Sequence, residues 1–303
     1  MDASIMTCSF DDECTVDDDY TDNEKITVGG PHQIIQKQRY PAPPLPQAGS
    51  VAGVSNVKNP ISLAKAVMEH TQHVMLIGEG AASFAKQLPT DAGVEMQPDD
   101  YFWTERRWAQ LERVQKAERE EQVMKFQLDH STTKQIIEER EKKFGTVGCV
   151  AFYRCESNKN KYWSASATST GGMTNQRYHR VGDSPLVGSG TYANHLVAIS
   201  CTGHGEWFIR SVAAHDIAKR LEYKHGYSSE TSEPDNTVLK KAVGEVILGT
   251  LFSRDASGEQ GGDGGAIALD KDGNFAAEMN CPGMYHAWMY EDGQMETKIY
   301  WDE

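Results

Sequence analysis

Two kinds of residue in this chain could do hydrolytic chemistry at close range: threonines set among glycines, and an arginine three residues from an aspartate. The first is Thr146, in Gly145-Thr146-Val147-Gly148 at the mouth of the apolar run Cys149-Val150-Ala151-Phe152-Tyr153. If the Gly145–Thr146 bond is cut, Thr146 carries a free α-amine beside its own hydroxyl. Such an amine titrates at roughly 7.7–8.0, close enough to neutral to act as the general base that makes the hydroxyl a nucleophile. Taken alone, the string also fits an ordinary junction between loop and strand.

Three other clusters carry matching chemistry. Thr202-Gly203-His204-Gly205 lies between the apolar run Leu196–Cys201 and a helix opening at Glu206. A strand–turn–helix of this kind points backbone N–H groups at a negative charge. It serves an oxyanion in acyl transfer or a phosphate, and the lysine that a phosphate loop requires does not follow it. Arg180-Val181-Gly182-Asp183-Ser184-Pro185 sets a fixed cation near a carboxylate in a Gly/Pro loop. It reads either as a surface ion pair stiffening a turn or as a clamp for a zwitterion. In the clamp, Arg180 forks onto an α-carboxylate and Asp183 takes an α-ammonium. Ser184 lacks the glycines of a nucleophile elbow. Thr170, in Thr168-Ser169-Thr170-Gly171-Gly172-Met173, either hydrogen-bonds the nucleophile or merely stabilises its own turn.

The elements that must position these groups follow from periodicity. A short strand is expected over Gly49–Val54 and a helix from Asn59-Pro60, with Leu63, Ala64, Val67 and Met68 on one face. A buried strand over His73–Gly78 and a short helix over Ala81–Gln87 come next. Tyr101, Phe102, Trp103, Trp108 and Leu111 would anchor the start of a charged, solvated helix that grades into a flexible linker over 112–145. The run at 148–153 reads as a buried strand, with a partner around Tyr162–Ala167. Ile209, Ala213, Ile217 and Leu221 line one face of a helix, and Leu239, Ala242, Val243, Val246 and Ile247 line another. Asp272-Gly273 between two apolar runs predicts a hairpin. Residues 7–49 carry an acidic cluster and the run Pro41-Ala42-Pro43-Pro44-Leu45-Pro46, and are expected to be a disordered insert.

With 303 residues, a net charge of −14 and no uninterrupted apolar run of membrane-spanning length, the chain reads as globular and a nucleic-acid partner is disfavoured. Its start lacks the basic and apolar regions of a secretory signal. The six cysteines show no metal-finger spacing and read as reduced, which points to a cytoplasmic or nuclear setting, with the cytoplasm as the expectation. No cofactor is expected. His70 and His73 lack a third metal ligand nearby. Asp270-x-Asp272-x-Asn274 has Phe275 where a calcium loop needs glycine.

The strings at 145–148, 168–175, 180–185 and 202–206 occur in the order and near the spacing of one family. Over residues 146–303 the chain resembles the plant-type (type 2) L-asparaginases/isoaspartyl peptidases of the N-terminal-nucleophile hydrolases. The likeness continues more loosely through Ala52–Ser55, Asn59–Ser62 and Asp2–Met6. The resemblance implies an α+β fold, a four-layer αββα sandwich forming one globular domain. It implies a precursor that cuts itself between Gly145 and Thr146, giving an α-chain part (1–145) and a β-chain part (146–303). By the same resemblance Thr146 matches the nucleophile and Thr170 the threonine that orients it. Thr202 and Gly203 match the oxyanion hole, Arg180 and Asp183 the substrate clamp, and Gly205 a backbone carbonyl that meets the substrate amine. The implied activity is hydrolysis of asparagine or β-aspartyl dipeptides by a dimer of αβ units, with no nucleic acid and no membrane as partner. The family's first strand, first helix and sodium-holding loop have no counterpart in this sequence, so the expectation is a sandwich lacking that strand and helix, with no metal. The alternative is a truncated, inactive homologue acting as a structural or interaction protein; a protease for large protein substrates is disfavoured by the clamp.

Overall fold

The computed structural model describes residues 1–11, 46–125, 145–158, 161–227, 235–251, 261–290 and 292–300. Two antiparallel-rich sheets lie face to face, with helices on both outer faces, so the fold is an α+β sandwich in four layers. The first sheet is built from β1 (Asp2–Asp11), β2 (Gln47–Ala52), β3 (Met75–Ile77), β4 (Thr146–Arg154) and β5 (Lys161–Thr170), in the order β3-β2-β1-β5-β4. The second holds β6 (Thr191–Ala193), β7 (Val197–Gly203), β8 (Gly264–Asp270) and β9 (Phe275–Met279), in that order. A separate ribbon pairs β10 (His286–Met289) with β11 (Met295–Lys298).

Most apolar burial sits in the two outer layers, with a smaller cluster around Met6, Ala193 and Ala198 between the sheets. Helix α1 (Pro60–His70) begins with proline, whose missing N–H costs nothing in a first turn. Its buried Leu63, Ala64 and Val67 pack with α2 (Gly78–Gln87) against Ala3 and Val51 of the first sheet. On the other side α4 (Gly205–Ser211), α5 (Ala213–Tyr227), α6 (Asp235–Gly244) and a π-helical continuation (Glu245–Thr250) cover the second sheet. Phe208, Ile217, Leu221, Leu239, Val243, Val246 and Ile247 fill that layer against Val197, Ile199 and Ala268.

The seam between the sheets is different in kind. Every second residue of β5 turns inward, and those residues are Tyr162, Ser164, Ser166, Thr168 and Thr170. Small hydroxyl side chains cannot fill a wide gap, so the sheets close up and the hydroxyls bond across it, as buried polar groups must. Ser164 donates to the Asn194 carbonyl at 2.8 Å and Thr168 to the Gly190 carbonyl at 3.1 Å. Thr168 also meets Ser200 Oγ at 2.7 Å, and Ser4 donates to the Ser184 carbonyl at 2.6 Å. Gly148, opposite Thr168 on β4, fits because it has no side chain: a β-carbon there would overlap Ser200 Oγ.

Several expectations change. Pairing of β1 with β5 runs to Asp11, and β2 starts at Gln47, so the supposed 7–49 insert is ordered strand at both ends; 12–45 lies outside the described residues. Helix α3 (Glu105–Lys125) continues well into the supposed 112–145 linker, of which 126–144 lies outside the described residues. Its aromatic start does not anchor: Trp103 is 59% and Trp108 50% exposed. Strand β4 is not buried, because among the described residues it is the sheet's edge; Val147 and Tyr153 are exposed while Thr146, Val150 and Phe152 are half-buried. Strand β3 is the opposite edge, and its Ile77 is exposed. The helix expected from Glu206 onward is two, α4 and α5, divided at Val212 in the left-handed region (φ 50°). The hairpin at Asp272-Gly273 forms as expected, with Asp270 Oδ1 accepting from the N–H groups of Asp272 and Asn274. Cys149, Cys155, Cys201 and Cys281 are free thiols; Cys14 lies outside the described residues. No helix of the described residues is long and apolar enough to cross a membrane.

Candidate active site

Thr146 is the first residue of β4 and lies directly opposite Thr170, the last residue of β5. In antiparallel strands such a pair brings the two side chains to the same face. Thr146 Oγ1 donates to Thr170 Oγ1 at 3.1 Å, and Thr170 Oγ1 also accepts the Gly172 N–H at 3.0 Å. Thr170 is buried and Thr146 half-buried, whereas Gly145 is exposed, with the Arg107 guanidinium of α3 beside it.

The seam carries this pair to the end of the second sheet. Thr168 touches Ser200, and Ser166, two residues earlier on β5, donates to the Ile199 carbonyl; β5 and β7 therefore run the same way. Two residues further along each strand, Thr170 and its partner Thr146 lie at the same end as Thr202. Thr202 pairs with Gly265 and Gly203 with Gly264, and the Phe208 ring packs beneath both of those glycine positions, 203 and 264. His204 N–H donates to the Asp263 carbonyl at 2.9 Å, which closes the turn into α4.

Arg180, Asp183 and Gly205 converge beside that turn. A β-carbon on residue 205 would stand 2.9 Å from both Arg180 Nη2 and Asp183 Oδ1. The loop that carries them is tied into the seam by Thr191, whose hydroxyl reaches both the Ser184 carbonyl and Thr168. Arg180 makes its salt bridge to Glu206 and not to Asp183, so the surface ion pair weighed from the sequence does not form. Asp183 is 5% exposed, and its Oδ2 has no hydrogen-bond partner. Burial pushes its carboxyl up to about 6, against the opposing pull of the Arg180 cation. A buried, under-partnered carboxylate near a buried-side guanidinium suits a ligand with an ammonium and a carboxylate.

Residues 45–299 match the model of the asparaginase family. The chain belongs to that family. It is 43% identical over 256 residues to an isoaspartyl peptidase of Salmonella typhimurium, covering 84% of this chain and 70% of the relative. It is 44% identical over 255 residues to an isoaspartyl peptidase of Escherichia coli, covering 84% and 68%. A plant-type L-asparaginase of Thermococcus kodakarensis is 38% identical over 254 residues, covering 83% and 71%. The chain is thus a hydrolase of the asparaginase family.

Within this family member, sequence reasoning had not assigned a role to Glu206 or Arg107. Glu206 carried a signal, standing directly after Gly205 in a recognised string, but its partner Arg180 is 26 residues away and only the fold joins them. Asn175, in the left-handed region (φ 58°), was likewise unassigned: it donates to Glu118 of α3 at 2.7 Å and so ties that helix to the turn after Thr170.

Proposed function

We propose that this chain hydrolyses L-asparagine or β-aspartyl dipeptides with Thr146 as nucleophile, after cutting itself between Gly145 and Thr146. The observation that carries the reading is the 3.1 Å contact between the Thr146 and Thr170 hydroxyls at the strand end beside Thr202 and the Arg180–Asp183 clamp. In the precursor, Thr146 Oγ1 attacks the Gly145 carbonyl carbon, the C–N bond breaks, and water releases the acyl group. The freed α-amine then accepts the hydroxyl proton when a substrate arrives. Arg180 holds the substrate α-carboxylate while Asp183 and the Gly205 carbonyl hold its α-ammonium. That leaves the side-chain carbonyl at Thr146 Oγ1, with the Thr202 hydroxyl and Gly203 N–H as donors to its developing oxyanion. Ammonia or an amino acid departs, and water attacks the acyl-threonine to release aspartate.

The isoaspartyl-peptidase and asparaginase names of the relatives support this substrate class. As in the family at large, a dimer of cut αβ units is the working form we expect. Denaturing electrophoresis tests the reading: purified protein should give two near-equal bands, the second beginning at Thr146, and should release leucine from β-aspartyl-leucine. Thr146→Ala should give one uncut band and no turnover. An uncut wild type that turns over neither substrate would instead support an inactive homologue.

A further inference from the structure

The Arg180 guanidinium has two usable edges, and Glu206 occupies one of them. Nε donates to Oε1 and Nη2 to Oε2, each at 2.9 Å. A guanidinium carries five N–H groups in one rigid plane. This fork therefore leaves both hydrogens of Nη1 and the second of Nη2, which together form the end edge. Two glycines border that edge. A β-carbon on residue 182 would stand 2.8 Å from Nη1, and one on residue 205 would stand 2.9 Å from Nη2. Any side chain at either position would push the guanidinium aside or fill the space in front of it. Arg180 is turned inward, 15% exposed, while Glu206 stands at the rim, 51% exposed. An arginine held on one edge by a carboxylate cannot swing, and its other edge keeps a fixed direction.

We propose that Glu206 is the positioning residue of the clamp: by holding the Nε/Nη2 edge of Arg180 it presents the Nη1/Nη2 edge as a ready fork, and so makes the site selective for ligands with a free α-carboxylate over those in which that group is an amide. A carboxylate accepts from both nitrogens at once, whereas an amide offers one acceptor oxygen and places an N–H against the other donor. The inference rests on the zwitterion-clamp reading above. It does not need Thr146 to be active, because binding reads it directly.

The test uses the whole chain and two ligands, L-aspartate and its α-amide, with binding measured by calorimetry. Wild type should prefer L-aspartate by at least about 10-fold, since the α-amide forfeits one charge-assisted hydrogen bond. Glu206→Ala should bind L-aspartate about 10-fold more weakly and the α-amide within about 2-fold of wild type, erasing the preference; Glu206→Asp should restore part of it. With β-aspartyl-leucine as substrate, KM should rise while kcat stays within about 3-fold, because the reacting carbonyl is untouched. Should Glu206→Ala fail to fold, Glu206→Gln keeps the side-chain volume and carries the same comparison. Unchanged preference in a folded variant overturns the inference. So does tighter aspartate binding, which would mean that Glu206 competes with the ligand for Arg180. A wild type that binds L-aspartate selectively but never cuts at Gly145 would sink the catalytic reading and leave this one standing.

Discussion

Gly148 and Ser200 share one space between the two sheets: a β-carbon on residue 148 would overlap Ser200 Oγ and stand 2.9 Å from Ser200 Cβ. The two strands approach closely only because one of them lacks a side chain there. Gly148→Ala should destabilise the protein by about 1–3 kcal/mol, the usual cost of overpacking a well-packed seam. Adding Ser200→Gly vacates the overlap, although it strips Thr168 of one hydrogen-bond partner. Urea denaturation should show the double variant recovering at least half of the loss. Strict additivity of the two changes would count against a shared space.

Thr170 accepts from two donors, the Thr146 hydroxyl and the Gly172 N–H. Thr170→Val keeps the shape and leaves both donors without an acceptor, a loss of roughly 1–3 kcal/mol. Self-cleavage and turnover should both slow by about 5- to 150-fold, and Thr170→Ser should restore most of each. A time course of band conversion on denaturing gels, run beside a steady-state assay, measures the two together. If only turnover suffers, the hydroxyl pair does not matter to the cut.

The buried Asp183 carboxyl, raised to about 6, predicts a particular pH profile. In the proposed clamp its charged form is the one that would grip an ammonium. The freed Thr146 amine must also be unprotonated, and such amines titrate at roughly 7.7–8.0. Both losses fall on the acid side. The plot of log(kcat/KM) against pH should therefore rise with a slope near two below about pH 6 and near one between about 6 and 8, then level off, since this parameter reports the free enzyme. Asp183→Asn should weaken substrate binding severely and flatten the steeper limb.

The same carboxyl makes a prediction about stability. Its folded pKa lies above its usual 3.8, so the folded state binds that proton more tightly than the unfolded chain does. Stability should fall as pH rises between about 4 and 6, and the full penalty should persist above 6. Raising a carboxyl from 3.8 to about 6 corresponds to roughly 3 kcal/mol against the charged form. Asp183→Asn removes the buried charge and should melt higher than wild type at pH 7.5, even as it loses substrate. A lower melting temperature for this variant would mean that the carboxylate is stabilised by partners that the structure does not give it.

Much of the candidate site was legible because its residues come in short local strings: Thr146 with its glycines, Arg180 with Asp183, Thr202 with Gly203 and Gly205. Pairings between strings were not. Glu206 meets Arg180 only after α4 folds back against the clamp loop. Strand β4 departs from the buried strand its sequence predicts because an apolar run looks the same at the edge of a sheet as at its centre, and only neighbours decide which it is. Tyr101, Phe102 and Trp103 misled in the same way: aromatic residues signal burial only where another element is there to cover them. The alternating serines and threonines of β5 hid the reverse case, since polar residues at buried positions look like a solvated face until the carbonyls that receive them are found.

Those hydroxyls have a mechanical consequence. Grease lets two surfaces slide; a row of pegs seated in sockets does not. Ser4, Ser164 and Thr168 each fit one particular carbonyl of the opposite side, so displacing one sheet by a fraction of a residue would unseat all of them together. Thr146 and Thr170 ride on one plate, Thr202 and Gly203 on the other, and any chemistry that needs both depends on the plates being keyed. Replacing the pegs by valine or alanine would keep the interior dry while letting the two halves drift out of alignment. The dullest residues of β5 would then matter to rate as much as the threonine at the end of β4.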